Sequence, residues 1–257
     1  MANRLEETIW NEGENAPVED ATGISHVIVN EESGEYLTSS ITEAHRLNSP
    51  YILENKDDTF LKALTEELEV SDSGPIDRSA FCRVLLKYDI NSLLHGVFLA
   101  KSSLAGGRLR LARAISSFIE AENVVTAASG GVKNDHINPK GDAAKGFGNV
   151  PFHREEYTAE KITAYFSVDL QQIRSYGLSD EAVELLTILG LYKIRSVLQG
   201  DMRLRTACDL EPVDDSVAAT KPEGFALPSL KELGAALQAA IGKCKSEMVT
   251  TTVSFKQ

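Results

Sequence analysis

The stretch Gly106 to Arg113, GGRLRLAR, puts three guanidinium groups directly behind two glycines. Glycines let a ligand approach the backbone closely, and arginines carry forked donors that fit phosphate oxygens. A helix start adds unpaired N–H groups with partial positive charge. Read as such a start, the stretch predicts an anion site, with Arg108, Arg110 and Arg113 in the first turn or two. The competing reading is three arginines on a solvated helix face beside a glycine turn, because short motifs match readily by chance. Arg203 and Arg205 share one face of the alternating run Met202 to Leu210. Two cations side by side repel unless an anion lies across them, and Asp209 or a neighbouring Glu is the internal candidate.

A second chemistry is metal-dependent. Asp135, His136 and Asp142 fall in the segment Ser129 to Arg154, which has no periodicity, and carboxylates there would suit magnesium. The competing reading is solubility and turn formation, the usual work of Asp and His in a polar loop. The same segment holds Lys133, Lys140, Lys145 and Arg154. It also holds Phe147 and Phe152, which either wedge against a base or pack into the core. The Gly106-Gly107 and Gly146-Phe147-Gly148 runs match neither a Walker nor a Rossmann pattern. Nor does a Ser/His/Asp or Cys/His set stand out at a usable spacing. Cys82, Cys208 and Cys244 are distant and odd in number, which predicts buried thiols in a reducing cytoplasm and neither disulfides nor zinc.

These residues need a scaffold, and 257 residues suit one large domain or one domain with insertions. With 42% hydrophobic and 25% charged residues, the composition is that of an ordinary soluble globular protein. No apolar run reaches the roughly 18 residues of a membrane helix, and the polar, acidic start MANRLEETIW is no secretory signal. The net charge of −12 argues against a generic nucleic-acid binder. The charge is uneven, however. Residues 1–100 carry 7 Lys+Arg against 19 Asp+Glu, and residues 101–205 carry 14 against 12. A local basic groove in the centre is therefore compatible with an acidic whole. Glu66, Glu67, Glu69 and Asp72 form either a solvated face or a contact for a basic neighbour.

Periodicity predicts the elements. Residues 2–10 read as a short amphipathic helix. Ile24 to Val29 and Glu35 to Thr38 read as strands about a turn at Ser33-Gly34. Thr42 to Leu47 reads as a helix ending before Pro50, with His45 and Arg46 at its end. Asp57 to Glu69 and Ile76 to Lys87 read as helices, joined by Val70 to Pro75. Leu93 to Ala100 reads as a central strand with His95 buried and hydrogen-bonded, and Arg108 to Glu120 as a helix burying Leu111, Ile115, Phe118 and Ile119. Val124 to Ala128 is a short strand and Ser129 to Arg154 a long loop. Lys161 to Leu170 alternates as a strand. Ser179 caps a buried helix that Gly200 stops. Then come the strand Met202 to Leu210, the loop Val213 to Pro228, the helix Leu230 to Lys243 and the strand Met248 to Phe255. From Leu93 onward this order is βαββαβ, an α+β arrangement of the ferredoxin-like or RNA-recognition-motif-like (RRM-like) kind.

Several stretches together resemble one family. They are ANRLEE, TEAHRLNSPYI, HGVFLA, GGRLRLARAISSFIEA, SGGVKND, GFGNVPFHREEYTAEKITAYFSVDLQQIRSYGL and MRLRTACDLE. The resemblance is to Csb-one, the repeating backbone subunit of type I-G (formerly I-U) CRISPR interference complexes, in the Cas-seven group of the RAMP superfamily. It spans nearly the whole chain in the expected order. It implies a non-enzymatic protein of the cytoplasm, without cofactor or metal, that polymerises along a CRISPR guide RNA as part of a Cascade ribonucleoprotein in antiviral defence. Its partners would be the guide, further copies of itself, other Cascade subunits and, indirectly, target DNA, with no membrane. It further implies an RRM-like palm over residues 93–257, a thumb-like insertion at about 129–154, and helical and hairpin additions over 1–92. Carried onto this chain, Arg46, Arg108, Arg110, Arg113, Lys133, Arg154, Arg203 and Arg205 become RNA contacts. ANRLEE lies well inside the family's chains and follows Met1 here, so the resemblance also implies a shortened N-terminus. Some RAMP relatives cut RNA with a loop aspartate, so a metal-dependent RNA endonuclease is the alternative.

Overall fold

The computed structural model describes residues 2–54, 59–68, 75–200, 202, 210–213, 217 and 219–255. The chain forms two compact units, one of residues 1–117 with 166–257 and one of Phe118–Tyr165. Both helices and strands build the first unit, and the class is α+β.

Helix α1 (Ala2–Glu7) is followed by the minimal antiparallel pair β1 (Trp10–Asn11) and β2 (Ala16–Pro17). Strands β3 (His26–Glu31) and β4 (Tyr36–Ser39) form a hairpin, as their alternation predicts. The region of Thr42 to Leu47 holds turns and the 3-10 helix Arg46–Asn48, where a helix was expected. Pro50 does not end a helix but opens one, α2 (Pro50–Leu53). There its missing N–H costs nothing, and the Ser49 hydroxyl accepts from the Tyr51 N–H. Helices α3 (Thr59–Leu68) and α4 (Arg78–Tyr88) bury the stripe Phe60, Leu64, Leu68, Phe81, Leu85.

Two expectations fail around residue 100. Leu93 to Ala100 is not one strand. Its first part completes helix α5 (Ile90–His95), Gly96 turns the chain with φ 76°, and only Val97–Leu99 is strand, β5. Arg108 to Glu120 is not a helix. Gly106 and Gly107 (φ 64° and 69°) turn the chain within the short 3-10 segment Ala105–Gly107, and β6 (Leu109–Leu111) pairs back antiparallel onto β5. A Cβ on Gly107 would stand 2.7 Å from the Ala100 carbonyl oxygen, so this glycine serves the close turn of a hairpin. Leu109 and Leu111 are buried at a spacing of two with Arg110 exposed between them, the strand period.

Strand β7 (Ile115–Glu122) follows. The second unit continues through β8 (Val125–Lys133) and β9 (Val150–Thr158), which pair antiparallel along nine residues. Strand β10 (Lys161–Val168) pairs with β7. Ser129 to Arg154, expected as a loop, is thus strand at both ends, with its turn from 134 to 149. Apolar side chains of this unit stay exposed, among them Val125, Val132 and Tyr157 on β8 and β9 and Ile162 on β10.

Helix α6 (Leu170–Arg174) leads to α7 (Asp180–Gln199), whose Ser179 cap accepts from the Ala182 N–H and whose end is Gly200, as expected. Helix α8 (Leu230–Cys244) begins with a full capping box of Ser229 and Glu232. It packs on α7, and Leu185, Leu186, Leu189, Leu237 and Ile241 are buried. Strand β11 (Thr250–Phe255) runs parallel to β3, giving the sheet order β11-β3-β4. The last strand thus joins the first hairpin, so the sheet draws on both ends of the chain, and the βαββαβ order predicted from Leu93 does not describe it. The expected strand Met202 to Leu210 lies mostly outside the described residues, apart from a bridge between Met202 and Leu210.

Candidate nucleic-acid interface

The arginines and lysine of the sequence analysis divide sharply. Arg46 is committed to the protein. Its Nε donates to the Gly96 carbonyl at 2.6 Å and its Nη1 to Glu6 Oε2 at 2.7 Å, with both side chains mostly buried. Lys193, fully buried on α7, donates to the carbonyls of Leu5 and Glu6 at the end of α1, each at 3.0 Å. Burial pushes the Lys193 ammonium down to about 7, and burial pushes the Asp89 carboxyl up to about 7. Three family-like stretches, ANRLEE, TEAHRLNSPYI and HGVFLA, therefore meet in one ionic node that ties α1 to the fold. Arg46 thus braces the scaffold here, with its Nε and Nη1 held by the protein itself.

Arg110 is the opposite case. It stands at the centre of β6, directly across from Phe98 in the β5–β6 register. Their strand neighbours Val97, Leu99, Leu109 and Leu111 point into the core, so Phe98 and Arg110 both face outward, and Phe98 is 54% exposed. An exposed phenyl beside an exposed guanidinium gives a stacking surface and a phosphate donor on one face. Arg113 is exposed just beyond β6, next to the tight approach of Gly96 to the Arg113 backbone. Among the described residues, neither Arg110 nor Arg113 has an ion pair. Arg108 is exposed too, but its Nε donates to the Ala105 carbonyl at 2.8 Å and so braces the turn.

The sequence analysis missed Phe98. Within VFLA every residue is apolar, so alternation leaves no trace, and only the pairing with Arg110 reveals which side faces out.

The second unit holds Lys133 and Arg154. In the β8–β9 register, Ser129 faces Arg154, Gly131 faces Phe152 and Lys133 faces Val150, so all six share one ribbon face. Arg154 lies 3.4 Å from Glu156 on that face, in an exposed pair. The Phe152 ring covers Gly131, where a Cβ would meet it at 3.1 Å. Phe147 and Phe152 are both about half exposed and do not join the core. Phe118 and Tyr165 stack at 4.7 Å, also exposed. Arg203 and Arg205 lie outside the described residues.

The loop carboxylates have other work. Asp135 accepts from the N–H groups of Ile137, Asn138 and Gly148, and those bonds hold its carboxyl below the usual range. Asp142 accepts from the Ala144 N–H as a cap. Among the described residues, no three His, Cys, Asp or Glu side chains gather as a metal site would need. In the acidic run, Glu67 is bound to Lys87 at 2.6 Å and to the Tyr88 hydroxyl. Glu66 is exposed, while Glu69 and Asp72 lie outside the described residues.

Residues 1–126 match the family model described as CRISPR-associated protein GSU0053 (Cas_GSU0053). That part of the chain is thus similar to a CRISPR-associated family. The match covers Glu6, Arg46 and Gly96 of the ionic node but not Lys193, takes in the β5–β6 hairpin and Arg113, and ends within β8. No curated protein matches the chain. Among the described residues, no helix is long and apolar enough to cross a membrane.

Proposed function

We propose that this protein binds a CRISPR guide RNA along its backbone, as the repeating subunit of a type I-G, Cascade-like interference complex of the Cas-seven group, and does not cut it. The supporting observation is the exposed Phe98–Arg110 pair on the β5–β6 face, with Arg113 beside it. Guide RNAs differ in sequence, so their carrier needs stacking and phosphate contacts without a base-reading code. The acidic remainder of the molecule limits binding elsewhere. In the cytoplasm its partners would be further copies along the guide, the other Cascade subunits and, indirectly, target DNA. Filter binding of a CRISPR-repeat RNA at two salt concentrations, in EDTA, tests this reading. Affinity should be salt-sensitive and metal-independent, and should fall when Arg110, Arg113 and Arg203 are replaced together by alanine. Unchanged affinity in that folded variant overturns it. RNA cleavage that EDTA abolishes would restore the RAMP endonuclease reading, which the commitment of Asp135 to backbone N–H groups disfavours.

A further inference from the structure

Beside the N-terminal helix lies a cavity of about 20 Å³, bounded by Leu5 and Ile115 and by the polar side chains of Glu6, His95, Arg113 and Ser117. That is room for one water-sized group, and not for a phosphate or a base. Two of its polar groups are unmet. His95 is only 6% exposed, and its Nε2 has no hydrogen-bond partner among the described residues; nor does the buried Oγ of Ser117. A buried polar atom left unpaired is costly, so such atoms point to a missing partner.

The lining selects the partner. Burial, together with the nearby charges of Lys193, Arg46 and Arg113, keeps the His95 imidazole neutral. Its Nδ1 lies 3.9 Å from Glu6. A neutral imidazole nitrogen and a serine hydroxyl can each donate or accept, which suits a hydroxyl better than a charged group. The volume of about 20 Å³ keeps a phosphate out of the cavity itself. Arg113 contributes to the same lining but is exposed, so it can hold a phosphate outside. In a nucleic acid, the neutral hydroxyl that lies next to a phosphate is the ribose 2′-OH, which DNA lacks.

We propose that this cavity takes a ribose 2′-hydroxyl of bound RNA while Arg113 holds the adjoining phosphate, so that the site selects RNA over DNA. The inference rests on the RNA-binding reading above. Fluorescence anisotropy of the full chain with single-stranded RNA and DNA of matched sequence tests it. Wild-type protein should prefer RNA. Ser117→Ala, which leaves His95 and the core intact, should weaken RNA binding about fivefold and leave DNA binding unchanged. Ser117→Val, which fills the cavity and suits a strand, should do the same. Arg113→Ala should weaken both nucleic acids alike. An RNA preference that survives in both Ser117 variants overturns the inference and leaves an ordered water as the occupant. Equal wild-type affinity for RNA and DNA also overturns it while sparing the RNA-binding reading, whereas no wild-type binding to either overturns both.

Discussion

Arg46 and Arg110 belong to the same unit and carry the same group, yet one is closed into the scaffold and the other faces out. Around Arg46, the chain supplies a carboxylate from forty residues away and a carbonyl from Gly96. Around Arg110, among the described residues, it supplies an exposed phenyl ring and no ion pair. A mostly buried guanidinium must be matched by the protein itself, whereas an exposed one keeps its donors for another molecule. An arginine within a family-like stretch is therefore ambiguous until its partners are known.

The largest expected effect separates the two sets by stability. Arg46→Met strands Glu6 in a mostly buried position and should cost about 3 kcal/mol in urea unfolding, with RNA affinity per folded molecule unchanged. An unaltered urea midpoint with lost RNA binding would move Arg46 into the exposed set and break the comparison. Asp89 sharpens the scaffold side. It is fully buried, and its carboxyl is raised from its ordinary value to about 7. The folded state then holds a proton that the unfolded chain releases between pH 4 and 7. The stability this contributes is present below about pH 4 and is lost as pH rises through about 7. Asp89→Asn should flatten that slope in thermal melts across the same window.

On the exposed side, Phe98→Ala should lower RNA affinity by about 1–2 kcal/mol if a base stacks on the ring. Unfolding should change by no more than about 0.5 kcal/mol. Equal loss in stability and affinity would show that the ring serves the fold. Arg110→Ala and Arg113→Ala should each take about 0.7 from the slope of log affinity against log salt, with no change in melting temperature.

Helices α3, α4, α7 and α8 were legible because their caps and stripes are local. Ser179 and Gly200 act where the sequence places them, and the long apolar run of α7 admits few alternatives. The β5–β6 hairpin was not legible. In LRLARAISSFIEA, Leu111, Ile115, Phe118 and Ile119 fit a helical stripe, while Leu109 and Leu111 fit a strand, and both periods are satisfied at once. The deciding facts are non-local: Gly107 must pass within contact of Ala100, and β6 needs β5 as its partner. For the same reason the arginine cluster was legible as chemistry but not as geometry. Its three members sit in a turn, on a strand and past a strand, and none stands at a helix start. The pairing of Glu6 with Arg46 was hidden by forty residues of intervening chain.

Arg154 lies between the two sets and gives the smallest expected effect. Its partner Glu156 is two residues along the same strand, on the same ribbon face, and the pair is exposed at 3.4 Å. Such a pair adds little to stability, on the order of 0–0.5 kcal/mol, so Glu156→Gln should leave the melting temperature unchanged. If Arg154 touches phosphate, the same change removes a competing negative charge and should raise RNA affinity by about twofold at low salt. That gain should vanish in high salt, where exposed charges are screened. Unchanged affinity at low salt would leave Arg154 outside the RNA-contacting set. A drop in melting temperature would instead place it with Arg46, as a cation the fold itself requires.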